Sequence, residues 1–474
     1  MGKDAENPQF ALQKHANSLR QTSLNDLLCG EGSQARAKAL QFAFHSLQVD
    51  FSKQRLTENS LDLLTQWADS VGLAQKRDAL FAGEPVNVSE NQAALYMAAR
   101  WPSDTAATEG MAPTVSLCVQ QREKLAELIR QVHSGQWCGV TGEAFTDVVH
   151  IGVGGSDLGP KLVSEVLGDT QGRRFVRVHY VSTMDGGQLL PVMQSLNPAT
   201  TLVVLASKSF TTADTRFNVR TALAWLCEGL GVDAGTVCQH QVLGVSARPE
   251  KMDEFGIPEA RQLLFPETVG GRFSVWSAIG VSVALELGMA PFEALLAGAH
   301  AMDAHFQKMP LTENLPVLLG LVGAWNTQFL NIPSHLFLPY DGRLKSLPPY
   351  LQQLEMESNG KSTGPNGEPV ANVTCPIVWG DVGPNAQHAF YQLVHQGCHE
   401  VSADFIAVAG RPAVGAGEVS EAFQAQERLT LANCLAQSQL FALGDAAITD
   451  ELRSTTELGY RGNQPNTVIL LETL

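Results

Sequence analysis

The chain has 474 residues, 44% of them hydrophobic and 17% charged, which suits two or three packed α/β domains rather than one core. Its 48 acidic residues against 32 Lys and Arg leave a net charge of -16, which disfavours nucleic acid or an anionic membrane as partner. Any anionic substrate must then be held by a local positive site.

The eight cysteines are scattered, without C-x-x-C or zinc-like spacing, and read as reduced thiols of a cytoplasmic protein. Met1-Gly2-Lys3-Asp4 begins no signal peptide, and Glu6 breaks the myristoylation pattern. The longest apolar run, Leu315 to Trp325, contains Pro316 and is too short to span a bilayer.

Residues 1 to 135 lack strand-like runs and read as helices, for example Leu61 to Val71 and Gln120 to His133. Then the pattern alternates, with strands predicted over 146–151, 175–182, 201–206 and 242–246 and helices over 160–168, 187–195 and 213–230. Helices dominate 277–330. A second alternating block follows: strands at 335–340, 376–379, 404–408 and 467–471, helices at 347–357, 386–396 and 418–442. Alternation at these lengths implies two doubly wound α/β units with parallel sheets, joined to a helical N-terminal region.

Two strand ends carry the most chemistry. Val148-Val149-His150-Ile151 empties into Gly152-Val153-Gly154-Gly155-Ser156-Asp157-Leu158-Gly159, a small-residue loop ahead of a helix. There the backbone N–H groups and the helix start can close around an anion such as a phosphate. A glycine cluster in that place also serves as a plain tight turn. Its spacing differs from the dinucleotide fingerprint, and no Walker-type lysine follows, so nucleotide binding is disfavoured. The second strand, Leu202 to Ala206, runs into Ser207-Lys208-Ser209-Phe210-Thr211-Thr212, four hydroxyls around a lysine with little packing purpose. In open parallel sheets ligands sit beyond the carboxyl ends of the strands, where both loops fall.

Three further clusters stand out. Gly270-Gly271-Arg272-Phe273-Ser274 sets an arginine after a glycine pair, able to project into a cleft or to stand on a surface turn. Glu357 closes an apolar helical pattern ahead of Ser358-Asn359-Gly360-Lys361. A carboxylate there opposes the helix dipole, which favours a raised pKa and work as a general base; a solvated glutamate beside a turn fits equally. Asn385 is the expected N-cap of a helix whose first turn holds His388, either functional or a buried structural histidine. His388 and His395 are seven residues apart, roughly 10 Å along a helix, too far to chelate one ion. A carboxylate, an arginine, a histidine and two phosphate loops without a metal set suit proton transfer next to a carbonyl.

At these residues the chain strongly resembles the glucose-6-phosphate isomerase (phosphoglucose isomerase) family. The likeness runs from about Ala11 through His150–Pro160, Ala206–Thr212, Val269–Ser274, Met356–Lys361 and Gln387–Leu393, five motifs in the family's order. The resemblance implies a pair of sugar-isomerase (SIS) domains: a helical region 1–110 packing on the second, a smaller first domain over 111–285, and a larger second domain over 286–474. It implies reversible interconversion of glucose 6-phosphate and fructose 6-phosphate, in glycolysis and gluconeogenesis, through a cis-enediolate and with no metal or other cofactor.

It further implies that Glu357 shuttles the proton between C2 and C1, Arg272 steadies the enediolate, and His388 assists ring opening from the neighbouring subunit of a homodimer. Ser207, Lys208, Ser209, Thr211 and Thr212 would form the phosphate cup, Gly155 and Ser156 would line the sugar, and Gln353 would face the same cleft. Ser209 and Asp214 replace the family's usual threonine and glutamate and keep hydroxyl and charge. The family continues past the strand resembling Thr467–Leu471 into a helical segment with a D-Q-W-G-V-E-L-G-K-type motif and then a lysine. The chain stops at Leu474, and loss of that lysine would leave a catalytically impaired sugar-phosphate binder as the alternative. A SIS-type isomerase for another phosphosugar, such as mannose 6-phosphate, is a third reading.

Overall fold

A computed structural model describes residues 7–168, 174–410, 421–448 and 459–474. The reading of Met1 to Asp4 and the start of the helix expected at 418 lie outside them. The strands are β1 (Gln41–Phe44), β2 (Leu47–Asp50), β3 (Asp147–Ile151), β4 (Arg177–Val181), β5 (Thr201–Ala206), β6 (Val242–Ser246), β7 (Gln262–Leu264), β8 (Ser334–Pro339), β9 (Ile377–Gly380), β10 (Ser402–Val408) and β11 (Asn466–Leu471).

Two compact units emerge: a central one, Asp78–Ala304, and a discontinuous one, Met1–Arg77 with His305–Leu474. The divisions fall there rather than near 110 and 285. Residues 78–110 join the central unit because Leu95 N–H donates to the Thr268 carbonyl and Arg100 pairs with Asp303.

In the central unit five parallel strands run in the order β4-β3-β5-β6-β7. Strands β3, β5 and β6 are buried along their whole length. Successive residues serve opposite faces: Val148, Leu202 and Val204 belong to one apolar cluster, Val149, Val203 and Leu205 to the other. This two-sided burial explains the continuous apolar runs that make these strands legible. The second strand in chain order lies outside the first, so the winding reverses between β3 and β5, the place where open parallel sheets bind ligands.

The discontinuous unit has a mixed sheet, β1-β2-β11-β10-β8-β9. Strands β8 to β11 pair in parallel, whereas β2 runs antiparallel to β11 and β1 antiparallel to β2. This hairpin corrects the expectation of helices alone before residue 135. Its turn uses His45 at a φ of 50° rather than glycine, so no turn signal marks it. Val49 joins Leu12, Ala16, Leu64, Leu318 and Trp325 in one core, which packs the N-terminal helices onto helix Leu315–Ala324. No helix among the described residues is long and apolar enough to cross a membrane.

Two predicted helices are less regular than expected. The one over 347–357 is α-helical for Leu347–Gln352 and then widens into a π turn over Gln353–Glu357. The one over 386–396 is two helices, Gly383–Ala389 and Tyr391–Gln396, split where Phe390 turns to a φ of -139°. Asn385 is therefore inside the helix rather than its N-cap, and His388 lies in the last turn rather than the first. Pro384 in the first turn starts the helix earlier, since a missing N–H costs nothing there.

Candidate active site

The central unit carries the two candidate anion loops, one after β3 and one after β5. After β3 the chain makes a tight turn, Gly154–Ser156, and enters helix Leu158–Gly168. His150 anchors this loop from beneath: one ring nitrogen meets the Ser156 carbonyl at 2.6 Å and the other the Ser282 hydroxyl at 2.7 Å. Complete burial holds its imidazole neutral, with a pKa lowered to about 4 despite the Ser156 contact.

Gly155 lies directly against the backbone of a second tight turn, Gly271–Trp276. A Cβ at Gly155 would collide with the Gly271 carbonyl and stand 2.6 Å from the Arg272 nitrogen. Ser274 locks the two turns, its hydroxyl reaching the Gly271 carbonyl at 2.6 Å and the Gly155 carbonyl at 3.3 Å. Arg272, half-buried, lies over the Phe273 ring at 5.3 Å, and Phe273 stacks on Tyr96 at 4.7 Å. Behind them Arg100 lies 5.5 Å from the Tyr96 ring centre and 5.0 Å from that of Trp276, held by two 2.6 Å hydrogen bonds to Asp303. The glycine pair thus lets two backbones touch, and the aromatic stack sets the guanidinium.

The hydroxyl loop follows β5. The Ser207 hydroxyl accepts from the Phe210 N–H at 3.1 Å, and the Ser209 hydroxyl accepts from the Thr211 N–H and hydroxyl at 3.3 and 2.9 Å. These bonds curl the chain so that Phe210 takes a φ of 58°. Thr212 caps helix Ala213–Leu230 without a side-chain hydrogen bond, so the first N–H groups of an 18-residue helix keep no cap. Lys208 is held by the Glu267 carbonyl at 2.7 Å. Burial pulls its ammonium below the ordinary value, Glu90 and Glu267 oppose this, and Arg248 and Arg272 add to it. The arrangement can hold a phosphate: hydroxyls, a helix start and cations converge in a strongly acidic chain.

The discontinuous unit carries the remaining candidates. Gln353 and Glu357 open and close the π turn. Four residues are slightly less than one turn of that wider helix, so the two keep near one face, as the spacing predicts. The Gln353 side-chain oxygen is buried without a partner, while Glu357 is exposed. Lys361 folds back to the Glu357 carbonyl at 2.5 Å. His388 is exposed, which removes the reading of a buried structural histidine. His395 is the buried one, with Nε2 3.1 Å from the Gln437 amide oxygen, its ring against Tyr391, Phe441 and Tyr460, and a pKa lowered by burial.

Several supporting residues escape the sequence reading. His150 stands in the strand that opens the His150–Pro160 motif but carries no assigned role, and Arg100, Tyr96 and Asp303 belong to no motif. Asp157 gives one signal, a carboxylate leading into the apolar run Leu158-Gly159-Pro160; its burial raises the pKa to about 6 against the pull of Lys161.

The phosphoglucose isomerase family model matches residues 50–474. The glucose-6-phosphate isomerase of Acinetobacter venetianus is 46% identical over 472 residues, covering 98% of this chain and 84% of the relative. Glucose-6-phosphate isomerase 2 of Chromohalobacter salexigens is also 46% identical, with the same coverage. Among solved structures, a glucose-6-phosphate isomerase from Chlamydia trachomatis matches 98% of this chain and 86% of its own, at 28% identity and a TM-score of 0.84. Together with the paired α/β sheets, these matches place the chain in the phosphoglucose isomerase family.

Proposed function

We propose the following roles for the reversible isomerisation of glucose 6-phosphate and fructose 6-phosphate, the activity that family membership gives this chain. Ser207, Lys208, Ser209, Thr211 and Thr212 hold the phosphate of the open-chain sugar, while Gly155 and Ser156 line its carbon chain and Gln353 orients it. The Glu357 carboxylate removes the proton from C2 of the aldose. The C–H electron pair becomes the C1–C2 double bond of a cis-enediolate, and Arg272 balances the negative charge gathering on oxygen. Returning the same proton to C1, while the O2 hydroxyl proton passes to O1 and C2 takes up the carbonyl, gives the ketose.

His388 assists opening of the sugar ring. We assign it to the neighbouring subunit's sugar in a homodimer, a reading supported by its exposure on the single chain. The proposed setting is cytoplasmic glycolysis and gluconeogenesis. Neither nucleic acid nor membrane is a proposed partner, in keeping with the net charge of -16.

The observation that carries the reading is the pairing of two anion loops on either side of one winding reversal, with Arg272 against the first of them. The test is a coupled assay of fructose 6-phosphate turnover. Glu357→Gln should lower kcat about a thousandfold with KM within about twofold, the range of a general base. Near-normal turnover in that variant would refute the assigned base. Tight calorimetric binding of a phosphorylated sugar acid by the unaltered chain, with no turnover, would favour a pure sugar-phosphate binder, which the names of the relatives do not favour.

A further inference from the structure

We propose that the central unit carries a second anion site behind the hydroxyl loop, suited to a phosphate or carboxylate borne on an aromatic or other apolar body. A cavity of about 360 Å³ opens between this loop, helix Ala213–Leu230 and helix Pro249–Phe255, within the size range of small-ligand pockets. One side of its wall is apolar, where Phe210 and Phe255 meet edge to face at 5.8 Å with Leu205 and Val219 beside them, and Ser207, Thr211 and Thr215 add hydroxyls.

Its margin is cationic. Arg216 and Arg220, four residues apart on one helix, share a face, and neither guanidinium has a partner among the described residues. Lys251 also borders the cavity but is satisfied by Glu254 at 2.8 Å, so the margin carries an excess of positive charge in a chain of net charge -16. Two like charges four residues apart on a helix repel, and a bound anion relieves that repulsion by pairing with both.

The cavity overlaps the phosphate cup only in part: Ser207 and Thr211 line both, whereas Lys208, Ser209 and Thr212 do not line the cavity. It shares Ser207, Phe210 and Thr211 with the loop, and Phe210 is the residue in the left-handed region. An occupant would therefore press on the segment that shapes the cup, which links the two sites physically.

The test uses the full chain with its cup saturated by 5-phosphoarabinonate, and adenosine monophosphate and inorganic phosphate as calorimetric probes. Adenosine monophosphate should still bind, more tightly than inorganic phosphate. The R216A/R220A double variant should weaken it at least about tenfold, as expected for two lost charge-assisted contacts, with fructose 6-phosphate turnover within about twofold of the unaltered chain. Absence of binding, displacement by the sugar acid, or unchanged affinity in the double variant would each overturn the site. Failure of turnover with binding intact would instead strike the proposed function and leave this site standing.

Discussion

The two units hold their candidate site residues in opposite ways. In the central unit the loops are tied down from below: His150 holds the glycine turn, Ser274 clamps it to the Arg272 turn, and Ser207 and Ser209 fold the hydroxyl loop. In the discontinuous unit Glu357 and His388 are exposed and stand where helices lose regularity, one ending a π turn and the other just before the break at Phe390. An anion is bound well by dipoles that need no rearrangement, so the binding residues gain from fixed backbone. Irregular helical turns re-aim side chains that a regular helix would leave on its usual faces.

The sharpest way to break this comparison is Gly155→Ala. If the close approach of the two turns is what fixes the loop, the added methyl should destabilise the chain by about 3 kcal/mol in urea unfolding, since the colliding atoms are backbone. Stability within error of the unaltered chain would mean that the turns move apart freely.

The second test is pH. His150 has its pKa lowered from 6.5 to about 4, so as pH falls the unfolded chain takes up its proton first. Its contribution to stability is complete above pH 6.5 and is lost progressively down to about pH 4, at most about 3 kcal/mol. Asp157, raised to about 6, acts in the opposite sense: its buried carboxyl favours folding most at low pH, and this contribution is lost as pH rises through 6. Unfolding of His150→Gln beside the unaltered chain, at pH 7.5 and 4.5, isolates the histidine. The variant should show the smaller acid loss, and equal losses would place the anchor elsewhere.

The smallest expected effect belongs to Lys208→Met. Removing one charge-assisted contact to the phosphate should raise KM about tenfold with kcat within about twofold, read by steady-state turnover. A fall in kcat alone would move Lys208 out of the cup.

The same contrast decides what the sequence reveals. Strands over 201–206 and 242–246 and the helix over 213–230 lie at the predicted residues, because two-sided burial writes long Val and Leu runs. The hairpin Gln41–Asp50 hides because each strand is only four residues long and its turn has no glycine. The break at Phe390 and the π turn at Gln353 leave no proline or glycine to announce them. Gly155, Arg272 and the hydroxyl loop are visible as motifs, since their glycines, hydroxyls and cations are gathered in short windows. His150, Arg100 and Asp303 act through contacts distant in sequence, and no local pattern encodes those.

The antiparallel pairing of β2 with β11 also bears on how the molecule is made. Leu47 lies opposite Leu471, roughly 400 residues away, so this sheet must close a very long loop before its edge is complete. The contiguous stretch 78–304 faces no such delay and is able to assemble while the ribosome is still adding the rest. Until that late closure, Val49 and the helices around it wait beside an unfinished hydrophobic surface, the kind of exposure that favours aggregation of a half-made chain.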